Sequence, residues 1–187
     1  MYSNEQLSWR QGAVAPRVPF SVLDEERPGV LLTPECDLQQ AKAITVLFVA
    51  LFEATELIME LVSSDWVGLG LFQDGEFMTS ASNGKRRQLD DRMKQMQRNQ
   101  FQRYHWLDAF PGVNGPLIAD FQFISCLPSE FLRTIAPAAM LADPYRSELP
   151  ARYAAYAGRI GTPDPEEARL ATWRQGLLDA NFPLIET

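Results

Sequence analysis

The sequence is poor in the residues that staple small folds together or carry metal chemistry. Its 187 residues include two cysteines, Cys36 and Cys126, and one histidine, His105. Two distant cysteines make no disulfide framework and lack the paired spacing of a zinc site. They read as reduced, buried thiols, which points to a cytoplasmic protein. With a single histidine, any metal cluster would rest on carboxylates, and no metal or other cofactor is expected. The first residues, Met1-Tyr2-Ser3-Asn4-Glu5-Gln6, lack the basic start and apolar core of a secretion signal. The longest apolar stretch, Ala43 to Phe52, is about half the ~20 residues a membrane span needs, so no membrane contact is expected. Gly-rich phosphate loops, a GxSxG elbow and an HExxH helix are all missing. No internal repeat or low-complexity tract is present.

What remains is an ordinary globular composition, with 46% hydrophobic and 22% charged residues. The length fits one domain with an appendage. Such a chain buries roughly 70% of its unfolded surface and needs neither disulfide nor metal to fold. The net charge of −7 is unevenly spread. Between Lys85 and Arg103 stand seven basic residues (Lys85, Arg86, Arg87, Arg92, Lys94, Arg98, Arg103) and two acidic ones, Asp90 and Asp91. A segment of +5 therefore sits in a background of −12.

Periodicity predicts strands over Gln11–Val14 and Val18–Leu23, with Pro16 and Pro19 confining them to edges or turns. Glu25 to Gly29 reads as a charged turn. Gly29–Thr33 and Ala43–Leu51 read as buried strands. Glu53–Val62 has helical spacing at Leu57, Ile58 and Leu61. Asp74-Gly75 suits a tight hairpin between Gly68–Phe72 and Phe77–Thr79. Arg86–Gln100 is predicted helical, with Leu89, Met93, Met96 and Gln100 inward and Arg87, Asp91, Lys94 and Arg98 outward. Phe101–Leu107 and Leu117–Ser125 read as strands on either side of the loop 111–116. Beyond Ser129, a predicted helix cap, the pattern turns helical. One helix carries Leu149, Tyr153, Tyr156 and Ile160, and another carries Leu170, Trp173 and Leu177.

Two chemistries deserve weighing. A Cys36 nucleophile would need His105 as its base, against a buried thiol beside a turn-capping Asp37. The basic helix is the stronger signal: its cations suit phosphates, and Phe101, Tyr104 and Trp106 just beyond suit stacking on unpaired bases. The alternative is a helix face that meets an acidic protein, including this chain's own acidic surface in a homodimer.

In order along the chain, these motifs resemble the PemK/MazF family of toxin barrels. Arg10-Gln11-Gly12-Ala13-Val14 resembles the family's early Arg-x-Gly-x-Val start, and Arg27-Pro28-Gly29-Val30-Leu31-Leu32-Thr33 its Arg-Pro strand. Ala43–Leu51 matches the next apolar strand, and Leu117–Ser125 with Pro128–Leu132 the late strand and short helix. The resemblance implies an α+β fold: a small antiparallel SH3-like β-barrel over residues 1–141, interrupted by a basic helical insertion at about 53–103, with a helical appendage over 142–187. It further implies a dimer that cleaves single-stranded RNA without metal. Arg27 matches one catalytic position. The second, a Ser or Thr, falls near Ala50-Leu51-Phe52, where there is no hydroxyl and Thr55 is nearest. Arginine stabilises charge but is a poor base, so catalysis would require His105 beside Arg27. The expected role is therefore a binding or regulatory component of a bacterial toxin–antitoxin or phage-defence-type system, contacting single-stranded RNA or an acidic protein. An endoribonuclease and a mobile-element interaction protein without nucleic-acid contact are the alternatives.

Overall fold

Pro16 and Pro19 do not divide the first strand. In the computed structural model, which describes residues 8–40, 42–64, 68–77, 82–110 and 113–158, one strand β1 (Ala13–Phe20) runs through both prolines. Its neighbour β2 (Glu25–Leu31) pairs with it antiparallel, with a register shift between Ala15 and Val18. On its other side only Ala13 and Val14 are paired, so both prolines sit where one edge is open and no donor is needed. Glu25–Gly29 is strand rather than turn. The reversal comes at 21–24, closed by Asp24 at φ 54°, and the charges extend across the ladder, with Arg17 4.0 Å from Glu26.

After a short helix α1 (Glu35–Gln39), strand β3 (Thr45–Glu53) pairs with β2, and helix α2 (Ala54–Ser63) follows directly. The hairpin of β4 (Phe72–Gln73) and β5 (Glu76–Phe77) turns at Asp74 and Gly75, at φ 52° and 86°. Two positive φ values are the signature of a type I′ turn. Helix α3 (Asn83–Gln97) leads to β6 (Tyr104–Leu107) and then to the twelve-residue β7 (Leu117–Pro128). Ser129–Arg133 forms a 3₁₀ turn whose cap position is Pro128, with no side-chain cap bond, so Ser129 is the first residue of the turn and not its cap. β8 (Ala139–Met140) returns to β1, and α4 (Tyr145–Ala157) completes the described chain.

All pairings in the main sheet are antiparallel, in the order β6-β7-β3-β2-β1-β8. The fold is α+β, and the sheet curls into a half-barrel. One hydrogen bond makes the curl tangible: the Ser125 hydroxyl on β7 donates to the Pro19 carbonyl on β1 at 2.6 Å. In a flat sheet those strands would stand about 14 Å apart, three spacings of ~4.8 Å.

Both faces of the sheet are covered, which is why β3 reads as an unbroken apolar run. Val46, Phe48, Ala50 and Phe52 face one core with Val18, Phe20, Ile118 and Tyr104, closed over by Leu57 of α2 and Met96 of α3. Val49, Leu51, Leu117 and Phe121 face the other, closed over by Leu149, Tyr153 and Tyr156 of α4. The rings of Tyr153 and Tyr156 each lie 5.8 Å from Phe121. The compact unit therefore extends through α4 to Ala157, beyond the boundary expected at 141. Neither cysteine is buried. Both are free and exposed, Cys36 on the short α1 and Cys126 near the end of β7. Residues 159–187, with the expected second C-terminal helix, lie outside the described residues. Among the described residues no helix is long and apolar enough to cross a membrane.

Candidate functional site

The two residues a nuclease reading requires are kept apart by the sheet. Arg27 of β2 and His105 of β6 have β3 and β7 between them. They also use opposite faces. Arg27 lies over the Phe52 ring at 4.5 Å, on the side of the first core. His105 follows Tyr104 on β6 and points to the second core, under α4. Base and cation do not meet, as the nuclease alternative would require.

Each is also otherwise engaged. The Arg27 guanidinium forks onto both Glu56 oxygens at 3.1 and 3.3 Å and bonds Glu25 as well. Burial costs this cation, but the bonds to Glu56 and Glu25 outweigh it and hold the pKa above its ordinary value. An arginine saturated by two carboxylates clamps β2 to α2 and has no free fork for a phosphate. His105 is fully buried, and neither ring nitrogen has a hydrogen-bond partner among the described residues. Burial, helped by the nearby Arg152, lowers its pKa to about 3. It is a neutral core residue at any physiological pH.

The basic segment divides into three groups. Arg103 is structural: its fork grips Asp120 at 2.7 and 2.6 Å, and Asp120 has no exposure at all. A carboxylate buried in an apolar strand requires such a cation. The same carboxylate accepts the Gln122 backbone N–H at 3.0 Å, withdrawing it from the ladder. At this point the register with β3 jumps, from Ala50↔Asp120 to Val49↔Ile124. Tyr104 is 4% exposed, with burial pushing its phenol up to about 12. Its ring meets Arg103 at 4.9 Å and offers no face to a nucleobase. Trp106 is half-buried and packed against the first core. Of the rings expected to stack, Tyr104 is closed off, while Phe101 and Trp106 are half-buried against the first core.

Lys85 forms the second group, donating to the Gly70 carbonyl at 3.3 Å and tying α3 to the hairpin segment. The third group is the outward face of α3: Arg86, Arg87, Arg92, Lys94 and Arg98 are all exposed. Arg87, Asp91, Lys94 and Arg98 recur at i, i+4, i+7 and i+11, one stripe of a helix. Lys94 is held at 2.5 Å by Asp90, and these bonds raise its pKa. Arg86, Arg87 and Arg98 have no ion-pair partner among the described residues.

The helix is anchored at its ends and at two apolar side chains. Ser82 caps α3 by accepting the Lys85 N–H at 3.3 Å. Leu89 packs on the small cluster of Val62, Leu69 and Leu71, and Met96 is 1% exposed in the first core. Asn99, at φ 54°, ends the helix, and its side chain accepts the Trp106 N–H at 2.6 Å.

A separate hollow of about 420 Å³ lies at the other end of β7, between α1 and the 3₁₀ turn. It joins segments near residues 9, 37–43 and 129–133, a juxtaposition that no sequence spacing reveals. Among the described residues no three His, Cys, Asp or Glu side chains converge as metal ligands do. Compared with models of known protein families and with curated proteins, the chain matches none.

Proposed function

We propose that this protein is a binding module that receives an acidic protein surface on the outward face of α3. One observation carries the reading: Arg86, Arg87 and Arg98 are exposed and form no ion pair among the described residues, on a helix anchored through Met96 and Leu89. Cations held out on an anchored helix, in a chain of net charge −7, are positioned for a partner and not for the fold. An acidic protein is favoured over RNA because Tyr104 is buried and Trp106 is half-buried against the first core, whereas single-strand binding draws much of its energy from stacking.

The order of the Arg10–Val14, Arg27–Thr33, Ala43–Leu51 and Leu117–Ser125 motifs along one curled antiparallel sheet supports a PemK/MazF-like, SH3-like barrel. On that reading the module serves a bacterial toxin–antitoxin or phage-defence-type system as a regulatory component. Arg27 locked between Glu25 and Glu56, and His105 neutral on the far face, favour this role over an endoribonuclease.

Fluorescence anisotropy with labelled poly-glutamate and labelled poly-uridine tests the proposal. We expect saturable binding of poly-glutamate at low salt that weakens as salt rises. The triple change Arg87→Glu, Lys94→Glu and Arg98→Glu should abolish it. Tighter binding of poly-uridine, lost on the same charge reversal, would transfer the surface to RNA. Binding unaffected by the reversal would remove α3 from the account.

A further inference from the structure

The hollow beside α1 is independent of the basic helix and carries its own chemistry. Its location follows from how the central ladder ends. Thr45↔Pro128 is the last pair of β3 and β7, and Ser129 N–H closes the ladder on the Ile44 carbonyl at 2.9 Å. Beyond that point the chain splays. The Asp37 carbonyl accepts both Lys42 and Ala43 N–H groups, at 3.0 and 3.2 Å, drawing α1 across the gap opposite the 3₁₀ turn.

The floor is apolar and backed by the core. Trp9, Leu38 and Leu132 line it, and all three pack against the first core. Trp9 meets Phe48 edge-on at 6.2 Å, and Phe131 meets the same ring at 5.9 Å. The volume, about 420 Å³, falls within the roughly 300–1,000 Å³ of small-molecule sites.

The rim carries charge of both signs. Asp37, Glu130 and Arg133 line the hollow, and none forms an ion pair among the described residues. Elsewhere Arg27, Arg103 and Arg146 each hold a carboxylate at 3.1 Å or less. Among the described residues the Asp37 carboxylate receives only the Cys36 thiol, at 3.6 Å. Glu130 and Arg133, three residues apart on one turn, do not bond each other.

We propose that this hollow binds an α-amino acid with a large apolar side chain. Its ammonium would meet Asp37 and Glu130, its carboxylate would meet Arg133, and its side chain would lie on Trp9, Leu38 and Leu132. A ligand with both charges satisfies a rim with both charges; a plain anion would face two carboxylates, and a plain cation would leave Arg133 unused. An apolar floor with a few convergent polar groups is the usual build of such sites.

Calorimetric titration of the full chain tests this with three molecules of one shape: L-phenylalanine, phenethylamine and 3-phenylpropionate. L-Phenylalanine should bind saturably, with the amine and the acid each weaker by about tenfold or more, the worth of one charge-assisted bond. Arg133→Gln should erase the preference for phenylalanine over phenethylamine, and Asp37→Asn its preference over phenylpropionate. Because Arg133 is exposed, its variant should fold, and circular dichroism confirms that. No saturable heat with phenylalanine up to about 10 mM, far above typical site affinities, would overturn the proposal. So would equal binding of all three molecules, or binding that Arg133→Gln leaves unchanged.

Discussion

His105 shows how one side chain's environment fixes its role. On a surface it would titrate near 6.5; buried beside Arg152, with both nitrogens unbonded among the described residues, its pKa falls to about 3. Unfolding frees the imidazole to bind a proton anywhere between those two values. The unfolded state then holds more protons than the folded one, so stability rises with pH across that window. It is complete above about 6.5 and lost as pH falls toward 3. Between pH 7 and pH 5 the loss from this residue should be about 2 kcal/mol. Urea unfolding midpoints at several pH values measure it, and His105→Leu should flatten the dependence. A variant with the parent's full slope would show that other groups carry it. Asp120 is the complementary case: a full charge inside an apolar strand, tolerable only because Arg103 reaches it with two bonds.

At the scale of elements, α3 owes its place to its ends as much as to its apolar stripe. Ser82 satisfies the Lys85 N–H that the first turn leaves free. Ser82→Ala should cost about 1 kcal/mol, read as faster amide hydrogen exchange in the first turn of α3. Unchanged exchange would show that Leu89 and Met96 alone hold the helix. Elements governed by near neighbours were legible in the sequence: the Asp74-Gly75 hairpin, α2, α3 and the apolar runs of β2, β3 and β7. Features set by distant residues were not. The register jump in β7 depends on Arg103, seventeen positions before Asp120. The charge-dense Glu25–Gly29 resembles a turn locally, but pairing with β1 makes it strand. Tyr104 sits in an aromatic run that suits stacking, but the sheet buries it, and Trp106 keeps only part of its surface. The basic helix was found because charge and periodicity are local; the hollow joins three separated segments and left no local mark.

For the whole molecule, the sheet is the dividing wall. It separates Arg27 from His105, fills both faces with apolar packing, and leaves the outward side of α3 and the hollow beyond β7 as two distinct surfaces. Along the sequence the charge divides too, with +5 between Lys85 and Arg103 and −12 over the remaining residues. Binding through that helix is the central claim. Amide chemical-shift mapping of the ¹⁵N-labelled protein titrated with poly-glutamate tests it most directly. We expect shifts concentrated between Asn83 and Arg98, strongest near Arg87 and Arg98 and suppressed by added salt. Shifts centred on other surfaces, or none at low salt, would contradict the claim.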